Sequence, residues 1–433
     1  MRAGRWTLAS GLGLVTLILA GLLLAGQDQQ APDLRREGHG GARVTPDAAA
    51  VERGAYLAGV GHCAGCHTDR GGPAFAGGRV IDTPFGPVPA ANLTPDLETG
   101  LGRWSAAAFR RALHDGRSAD GRALLPACPY PNFSLIAAAD ADDLFAYLQS
   151  LPPQRHPVAP AALRFPYRLP AALSLWRWWA FESATLPAAP VGAGIDWQRG
   201  AYLVGGLGHC SACHGQRDAL GATGGAWDFR GGEIAMQGWV APSLNDPRAA
   251  AVSGWTDAEV IALLGSGRND RATVSGPMAL VVAHSTQLYR EADLRAVAEF
   301  LRRLPMAEQP PPTTHAVAPA AAVLQRGDGL YERHCADCHG KVGEGVPDNG
   351  SPLAGNRAVA LATPVNVLRV VLGGGFGPAT AGQPRPPGMP PFATLLGDDD
   401  IAAVVSAVRW RFGAQASAVN AVDVNRQRGS GQR

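Results

Sequence analysis

The chain has 433 residues, too many for a single compact core, and this length predicts two to four domains. Its formal net charge is only +2 and Lys341 is the single lysine among 38 basic residues, so the basic runs that nucleic-acid binding requires are missing. A hydrophobic fraction of 46% argues against disorder over most of the chain, while 55 glycines and 35 prolines favour short helices and long irregular loops.

The N-terminus carries an uncharged stretch, Trp6–Gly26, preceded by Arg2 and Arg5. About 20 apolar residues in a helix suffice to cross roughly 30 Å of hydrocarbon. The two arginines predict a cytoplasmic N-terminus and export of everything that follows. We therefore expect residues 1–27 to be an uncleaved transmembrane anchor, with a cleaved signal peptide as the alternative. Residues 28–50 are then a linker.

The motif C-x-x-C-H occurs three times, at 63–67, 210–214 and 335–339. Two thiols at this spacing can each form a thioether with a haem vinyl group, and the next histidine then ligates the iron. A disulfide redox motif needs no such histidine, and a structural zinc site needs two further ligands in each copy. The motifs therefore predict three covalently bound haem c groups. The thioether cysteines are Cys63, Cys66, Cys210, Cys213, Cys335 and Cys338, and the proximal ligands are His67, His214 and His339.

The sequence around the motifs also repeats, which predicts three tandem domains. A stretch before each motif should form the helix that delivers it; these stretches are Arg53–Leu57, Arg199–Leu203 and Arg326–Tyr331. A tryptophan followed by Ser105 or Thr256 is typical of the N-cap of a middle helix. Each repeat closes with an apolar-periodic helix, predicted at Asp143–Leu151, Asp293–Leu304 and Asp399–Phe412.

The predicted fold class is mainly α, with long irregular loops and one N-terminal transmembrane helix. Cytochrome c-like domains are expected at 51–153, 197–305 and 322–413. A Trp-rich linker at 154–196, a Pro-rich linker at 306–321 and a tail at 414–433 complete the chain.

The cluster Leu175–Phe181 in the first linker contains three tryptophans and one arginine. Such a composition is typical of a membrane interface, so the segment could lie on lipid and shape a quinone entrance. Ordinary packing between domains is the alternative. The second linker should be an extended spacer, and the polar tail should be loose or wrapped on a partner.

A second axial ligand is expected on a loop some 50 to 65 residues after each proximal histidine. Met278 and Met389 occupy such places in the second and third domains, each on a loop rich in glycine and proline. A methionine is more often a core residue, but the chain has only five. Because a neutral thioether favours ferrous iron, these two ligands would raise the reduction potential.

The first domain has no methionine after its proximal histidine, and the corresponding loop carries Cys128 instead. A thiolate ligand is anionic, stabilises ferric iron and would give haem one a lower potential than the others. Cys128 is therefore the candidate distal ligand. It could also be a small buried thiol beside a haem that is five-coordinate or otherwise ligated. His114 and His62 are possible substitutes, although His62 lies inside the attachment turn.

The repeated frame and its loops resemble the triheme cytochrome c subunit of membrane-bound dehydrogenases from acetic acid bacteria and related proteobacteria. The resemblance covers about residues 54–413 and includes 83–86, 92–96, 254–257, 267–270 and 284–287. It implies a catalytic subunit that oxidises an alcohol, aldehyde or sugar, and a cytochrome that passes the electrons to ubiquinone. It also implies thioether bonds at the six motif cysteines, proximal ligation at the three histidines, and distal ligation at Met278 and Met389.

Cys128 departs from the alcohol-oxidising branch of that family, which should carry methionine there. The stretch Leu163–Tyr167 and the cluster Trp176–Phe181 look more like cytochromes that accompany molybdenum-containing aldehyde dehydrogenases. We therefore favour a molybdenum and iron–sulfur catalytic partner, on the periplasmic side of a bacterial inner membrane. The alternative is a PQQ- or flavin-dependent alcohol or sugar dehydrogenase.

Two other functions would fit the motifs. The chain could be an independent haem enzyme, such as a peroxidase, with an open distal position in the first domain. It could also be an accessory subunit that feeds an oxygen-reducing terminal oxidase. The favoured interpretation remains an electron-transfer subunit with no substrate chemistry of its own.

Overall fold

A computed structural model describes residues 47–307, 317–347, 350–413 and 416–430, together with Leu23. Over these residues the protein is mainly helical, which confirms the mainly α part of the predicted fold class. The chain divides into two compact units. The first contains the residues up to Leu186 with Gly205–Ala212 and Asp218–Ala226, and the second contains the rest.

The first unit contains six helices and one hairpin among its described residues. Its helices are α1 (Ala48–Val60), α2 (Cys63–His67), α3 (Ala106–Asp115), α4 (Tyr130–Phe133), α5 (Ala138–Ser150) and α6 (Pro170–Ala180). Strands β1 (Val80–Thr83) and β2 (Gly86–Pro89) pair antiparallel, with Val80 opposite Pro89. The π-helical segment Leu203–Leu207 and helix α8 (Ser211–His214) are divided along the chain between the two units.

The second unit has two further antiparallel strand pairs and a longer series of helices. Its strands are β3 (Gly232–Ile234) with β4 (Trp239–Ala241), and β5 (Gly375–Phe376) with β6 (Gly388–Met389). Its helices are α7 (Ile195–Tyr202), α9 (Asp257–Ser266), α10 (Pro277–His284), α11 (Glu291–Arg302), α12 (Ala321–His334), α13 (Ala336–His339), α14 (Arg357–Ala360), α15 (Val365–Gly373), α16 (Asp398–Phe412) and α17 (Ala421–Ser430), with a 3₁₀ turn at Thr286–Leu288.

In each of the three repeats, the helix that delivers the C-x-x-C-H motif crosses the closing helix: α1 packs on α5, α7 on α11 and α12 on α16. A glycine lies at each crossing because a Cβ atom there would collide with a backbone carbonyl of the facing helix; the pairs are Gly54 with Asp143, Gly200 with Ala296, and Gly327 with Ala403. The preceding arginine in each case pairs with an aspartate of the closing helix, at 2.6, 2.7 and 2.8 Å; these pairs are Arg53–Asp143, Arg199–Asp293 and Arg326–Asp400. The arginine–glycine pair therefore fixes how each delivering helix crosses its closing helix.

The predicted N-caps of the middle helices are confirmed. The hydroxyl of Ser105 accepts a hydrogen bond from the backbone N–H of Ala108 at the start of α3, at 3.1 Å. Thr256 and Glu259 form a reciprocal capping box at the start of α9. The closing helices also lie where they are predicted, although α5 begins five residues earlier, at Ala138 rather than Asp143.

The tail differs from the loose segment that its polar composition predicts. Helix α17 packs on α16 and α15, with Val419 and Val424 inside the apolar core of this region. The hydroxyl of Ser406 and the backbone of Val419 hydrogen-bond to each other. Because two valines recur among polar residues, the tail has enough apolar surface to fold back onto the chain.

The Trp-rich segment forms helix α6. Trp176 is buried, packs edge-on against Phe85 at 5.5 Å and donates from its indole N–H to the carbonyl of Leu220 at 2.9 Å. Ordinary packing therefore accounts for Trp176, here within the first unit. Trp178 and Trp179, two and three positions further along, are exposed.

No helix in the described ranges is long and apolar enough to cross a membrane. The predicted anchor lies outside those ranges apart from Leu23, and so does most of the linker at 28–50. Residues 308–316 of the Pro-rich linker are also outside them.

Candidate haem-attachment sites

Each C-x-x-C-H motif follows directly from the end of its delivering helix or of the turn that extends it. The residue before the first cysteine bends the backbone in two of the three copies, since His62 and His209 have φ of 54° and 36°. The second cysteine and the histidine then lie on the short helices α2, α8 and α13. All seven cysteines belong to the described part of the chain, and no disulfide joins any two of them there.

The proximal histidines share one hydrogen bond that orients their rings. Nδ1 lies 2.7, 2.7 and 2.8 Å from a backbone carbonyl oxygen in the three copies; the partners are Ala91 for His67, Pro242 for His214 and Ser351 for His339. If Nδ1 carries the proton and donates it to this carbonyl, Nε2 keeps a lone pair for a metal. Burial lowers the pKa of His67 and of His214, which favours this neutral form. The residues present therefore fit a haem iron.

In each copy, a glycine that the sequence does not reveal also binds the backbone of the proximal histidine. Gly77, Gly231 and Gly345 each donate their backbone N–H to the carbonyl of the proximal histidine, at 2.8, 2.7 and 2.8 Å. All three have φ between 75° and 78°, a region that favours glycine. A Cβ atom at Gly77 would lie 2.6 Å from the carbonyl oxygen of Ala90. These glycines follow the histidine at different intervals, and this irregular spacing hides them in the sequence.

The structure places the two methionines in regular elements and not on the loops that the sequence predicts. Met278 is in the first turn of α10, two residues after Gly276, whose φ is 55°. Met389 is in β6, where it pairs with Gly375 of β5. Both side chains are half-buried. Their ligation of haems two and three stays a prediction.

Cys128 lies close to the first motif. Burial raises the pKa of its thiol to about 12, and the neighbouring thiols of Cys66 and Cys63 contribute to this rise. A turn positions it, because its backbone N–H donates to Leu125 and its carbonyl accepts from Tyr130, at 3.2 and 2.8 Å. The structure thus brings the predicted distal ligand near the thioether cysteines of its own motif.

The two histidines considered as substitutes differ. The ring of His62 lies so close to Gly65 that a Cβ atom there would collide with its Nε2 atom. It therefore covers the attachment turn itself, as its sequence position predicts. His114 lies in the last turn of α3, and its Nε2 atom is buried without a hydrogen-bond partner among the described residues. Such an atom is an available ligand, so His114 stays an alternative to Cys128.

Two buried indole N–H groups in the second unit also suit a bound carboxylate. The Nε1 atoms of Trp197 and Trp255 are buried, and neither has a hydrogen-bond partner in the described part of the chain. Buried donors without partners are rare because each costs free energy. A haem carboxylate is one group that could satisfy them.

The chain is similar to known proteins over most of its length. The cytochrome c family model matches residues 51–152 and 324–410. The chain is similar to the cytochrome c subunit of alcohol dehydrogenase (quinone) from Gluconacetobacter polyoxogenes, at 36% identity over 89% of this chain and 86% of the relative. It is similar at 34% identity to the gluconate 2-dehydrogenase cytochrome c subunit of Pantoea cypripedii, over 87% and 89%. It also matches a nicotinate dehydrogenase subunit of Pseudomonas putida at 38% identity, over 86% of this chain and 32% of the relative.

Proposed function

Since the chain belongs to the family of dehydrogenase cytochrome c subunits, we propose that it is a three-haem relay from a catalytic dehydrogenase subunit to ubiquinone. Haem supplies the reversible one-electron chemistry of its iron. The chain holds that group covalently, fixes its axial ligands and sets its potential. No substrate is oxidised by this chain itself.

The observation that carries the proposal is the threefold recurrence of one local geometry. Each motif has a delivering helix crossed at a glycine, a histidine whose Nδ1 faces a carbonyl, and a glycine of positive φ that binds the carbonyl of that histidine. A motif that occurred by chance would have no reason to share these three features. We assign one haem to each copy.

Haem content tests this assignment directly. The denatured protein should keep three covalent haems per chain by pyridine haemochrome analysis and intact mass. Replacing both cysteines of one motif by alanine should remove one haem and leave two. A count of two or fewer in the unsubstituted, fully matured protein contradicts the three-haem relay.

For the distal positions we propose Met278 at haem two, Met389 at haem three and Cys128 at haem one. The closeness of Cys128 to Cys63 and Cys66 supports the last assignment. A thiolate at haem one and thioethers at haems two and three would give one low and two high potentials. Such a separation gives the relay a site whose electron affinity differs from the others.

For the catalytic partner we favour a molybdenum and iron–sulfur subunit that oxidises an aldehyde. Cys128, in a loop where methionine is expected, supports this choice over an alcohol dehydrogenase. The similarity to alcohol and gluconate dehydrogenase subunits supports the alternative, a PQQ- or flavin-dependent enzyme. Purifying the native complex and identifying its co-purifying subunits decides between the two.

For the location we propose the periplasmic face of the inner membrane. Support comes from Trp6–Gly26 and from an exposed apolar surface in the first unit. We call this the aromatic surface; its members are Phe165, Leu169, Trp178 and Trp179, which are 71%, 45%, 68% and 52% exposed. Tryptophan is favoured where one side meets lipid and the other meets water. Such a surface would bring haem and quinone together at the bilayer.

A further inference from the structure

In the described part of the second unit, the side chain of Trp239 touches segments next to both Met278 and Met389. Trp239 belongs to β4, and its indole ring lies directly against Gly276, since a Cβ atom at that glycine would be 2.7 Å from the ring. Gly276 stands two positions before Met278. One face of the indole therefore contacts the start of the helix that carries the proposed distal ligand of haem two.

Trp239 also contacts helix α15, whose end lies next to Met389. The guanidinium of Arg369, on α15, lies 5.1 Å from the centre of the Trp239 ring. Arg369 is held at this distance because Asn366, one turn earlier, hydrogen-bonds both the N–H and the carbonyl of Val240 at 3.0 and 2.7 Å. These bonds attach α15 to the strand that carries the indole.

The end of helix α15 lies against the backbone of Met389. Gly374 follows it with φ of 61°, and a Cβ atom there would collide with the carbonyl of Met389. Gly375 then pairs with Met389 in the β5–β6 ladder. The chain of contacts from Met278 to Met389 therefore runs through Gly276, Trp239 and α15.

Two further contacts hold the same segments together. Pro378 packs against Gly267, where a Cβ atom would overlap its ring. The side-chain amide of Gln287 donates to the carbonyl of Ala379 at 3.1 Å and accepts from the N–H of Ala381 at 3.0 Å. Several independent contacts fix the interface in which Trp239 lies. Its position between the segments next to Met278 and Met389 is therefore a stable feature of the second unit.

We propose that Trp239 couples electron transfer between haems two and three, and that Arg369 clamps the indole in position. This inference rests on the proposed function, because it takes Met278 and Met389 as distal ligands. In each transfer one electron leaves ferrous iron at one site and reduces ferric iron at the other, and no bond forms or breaks. Electron tunnelling decays more steeply across a gap than through closely packed atoms. The indole of Trp239 fills part of this interface, so its removal should slow electron transfer between haems two and three.

The test requires two haems that can be distinguished. Met389→His in the full-length holoprotein gives haem three two nitrogen ligands and a lower potential, while haem two keeps its thioether. An electron placed on haem three by flash photoreduction should then move to haem two, and the absorbance change gives its rate. Met278→His provides the reciprocal background, with transfer in the opposite direction.

In either background, Trp239→Leu should slow the transfer severalfold and Trp239→Phe should slow it less. The matched control is Trp227→Leu, which removes an indole that packs on Phe300 in the same unit. This control should leave the rate unchanged, and the potentials of both haems should stay constant across the series. Should Trp239→Leu impair maturation, the Phe variant alone decides.

An unchanged rate in Trp239→Leu, or equal slowing in the Trp227→Leu control, overturns the proposal. Failure of the proposed function is recognised separately and earlier. The unsubstituted protein would then carry fewer than three haems, or would lack the charge-transfer band of methionine-ligated ferric haem. With haem content and ligation intact, the rates report on Trp239 alone.

Discussion

The first-motif and second-motif regions share one arrangement around the proximal histidine and differ in the residue that we propose as the distal ligand. Both have an arginine–glycine pair on the delivering helix, a histidine whose Nδ1 faces a carbonyl, and a glycine of positive φ behind it. At the proposed distal positions, one region has Cys128 in a tight turn and the other has Met278 on a helix. Covalent attachment imposes one geometry on the proximal side, whereas the distal ligand can change and with it the potential.

The largest expected effect tests the part that all regions share, and the third region offers the cleanest pair of positions. Gly327 and Gly329 lie two residues apart on α12. A Cβ atom at Gly327 would collide with Ala403, whereas at Gly329 the nearest atom is 3.4 Å away, on the flexible end of Arg333. Gly327→Ala should therefore lower the free energy of unfolding by about 3 kcal/mol, measured by denaturant titration of the holoprotein.

Gly329→Ala is the matched control. It should raise the free energy of unfolding by up to ~1 kcal/mol, since alanine is the better helix former. Equal free energies of unfolding in the two variants would contradict the view that the shared glycine is needed for the close crossing of the helices. Gly200→Ala should repeat the loss in the second region.

The second prediction addresses the distal difference itself. Cys128→Met should raise the potential of haem one by on the order of 100 mV, within the ~0.8 V range that axial ligands span. Haems two and three should barely respond, because their proposed ligands come from other parts of the chain. Spectroelectrochemical titration with EPR of the oxidised protein measures all three. Unchanged potentials and low-spin signals would make Cys128 a buried thiol only.

His114→Ala separates the competing ligand. If Cys128 binds the iron, this variant should leave the ferric EPR spectrum of haem one unchanged. If the imidazole binds instead, the low-spin signal of haem one is lost in His114→Ala and persists in Cys128→Met. The pair therefore assigns the ligand rather than merely testing one candidate.

The features of these regions could be predicted from the sequence only where the signal lies in residues that are neighbours along the chain. Ser105 and Thr256 follow tryptophans and cap helices as predicted, because a cap depends on the next three residues. Cys128 is evident as the cysteine left over from the motifs. The carbonyl partners of the proximal histidines could not be predicted from the sequence, since any residue type can supply a carbonyl. Likewise, the glycine at each helix crossing is part of a recognisable repeat. The repeat does not show why glycine is needed there, because the cause is the close backbone of another helix.

The third prediction concerns helix α6 and its flanks, a second difference between the regions. The paired substitution Trp178→Ser and Trp179→Ser should weaken binding to anionic phospholipid vesicles roughly tenfold or more, since burying a large aromatic side chain contributes about 1.5–3 kcal/mol. The matched control is Trp227→Ser in the second unit. Sedimentation with vesicles measures the affinity of a chain that begins after residue 27. Equal binding by all variants would remove the aromatic surface from the proposed membrane contact.

The smallest expected effect concerns the tail, which folds onto the third region. Arg428 ion-pairs with Asp398 at the start of α16 and also donates to the carbonyl of Leu396 at 2.7 Å. The hydrogen bond from Arg428 lowers the pKa of Asp398 below its ordinary value. A carboxylate with a depressed pKa stabilises the folded state above its unfolded pKa, and this contribution is lost as the pH falls through the folded value. The tail should therefore loosen only below about pH 4.

Asp398→Asn should produce the same loosening at neutral pH, by at most about 1 kcal/mol, as for other solvent-accessible ion pairs. Hydrogen exchange of the amides in α17 measures it, with α5 of the first region as the internal reference. Asp399→Asn is the control on the same helix turn. Because Val419 and Val424 remain buried in the core, the helix should stay docked in Asp398→Asn and exchange only moderately faster. Complete loss of protection would mean that the ion pair, rather than the apolar contacts, holds the tail.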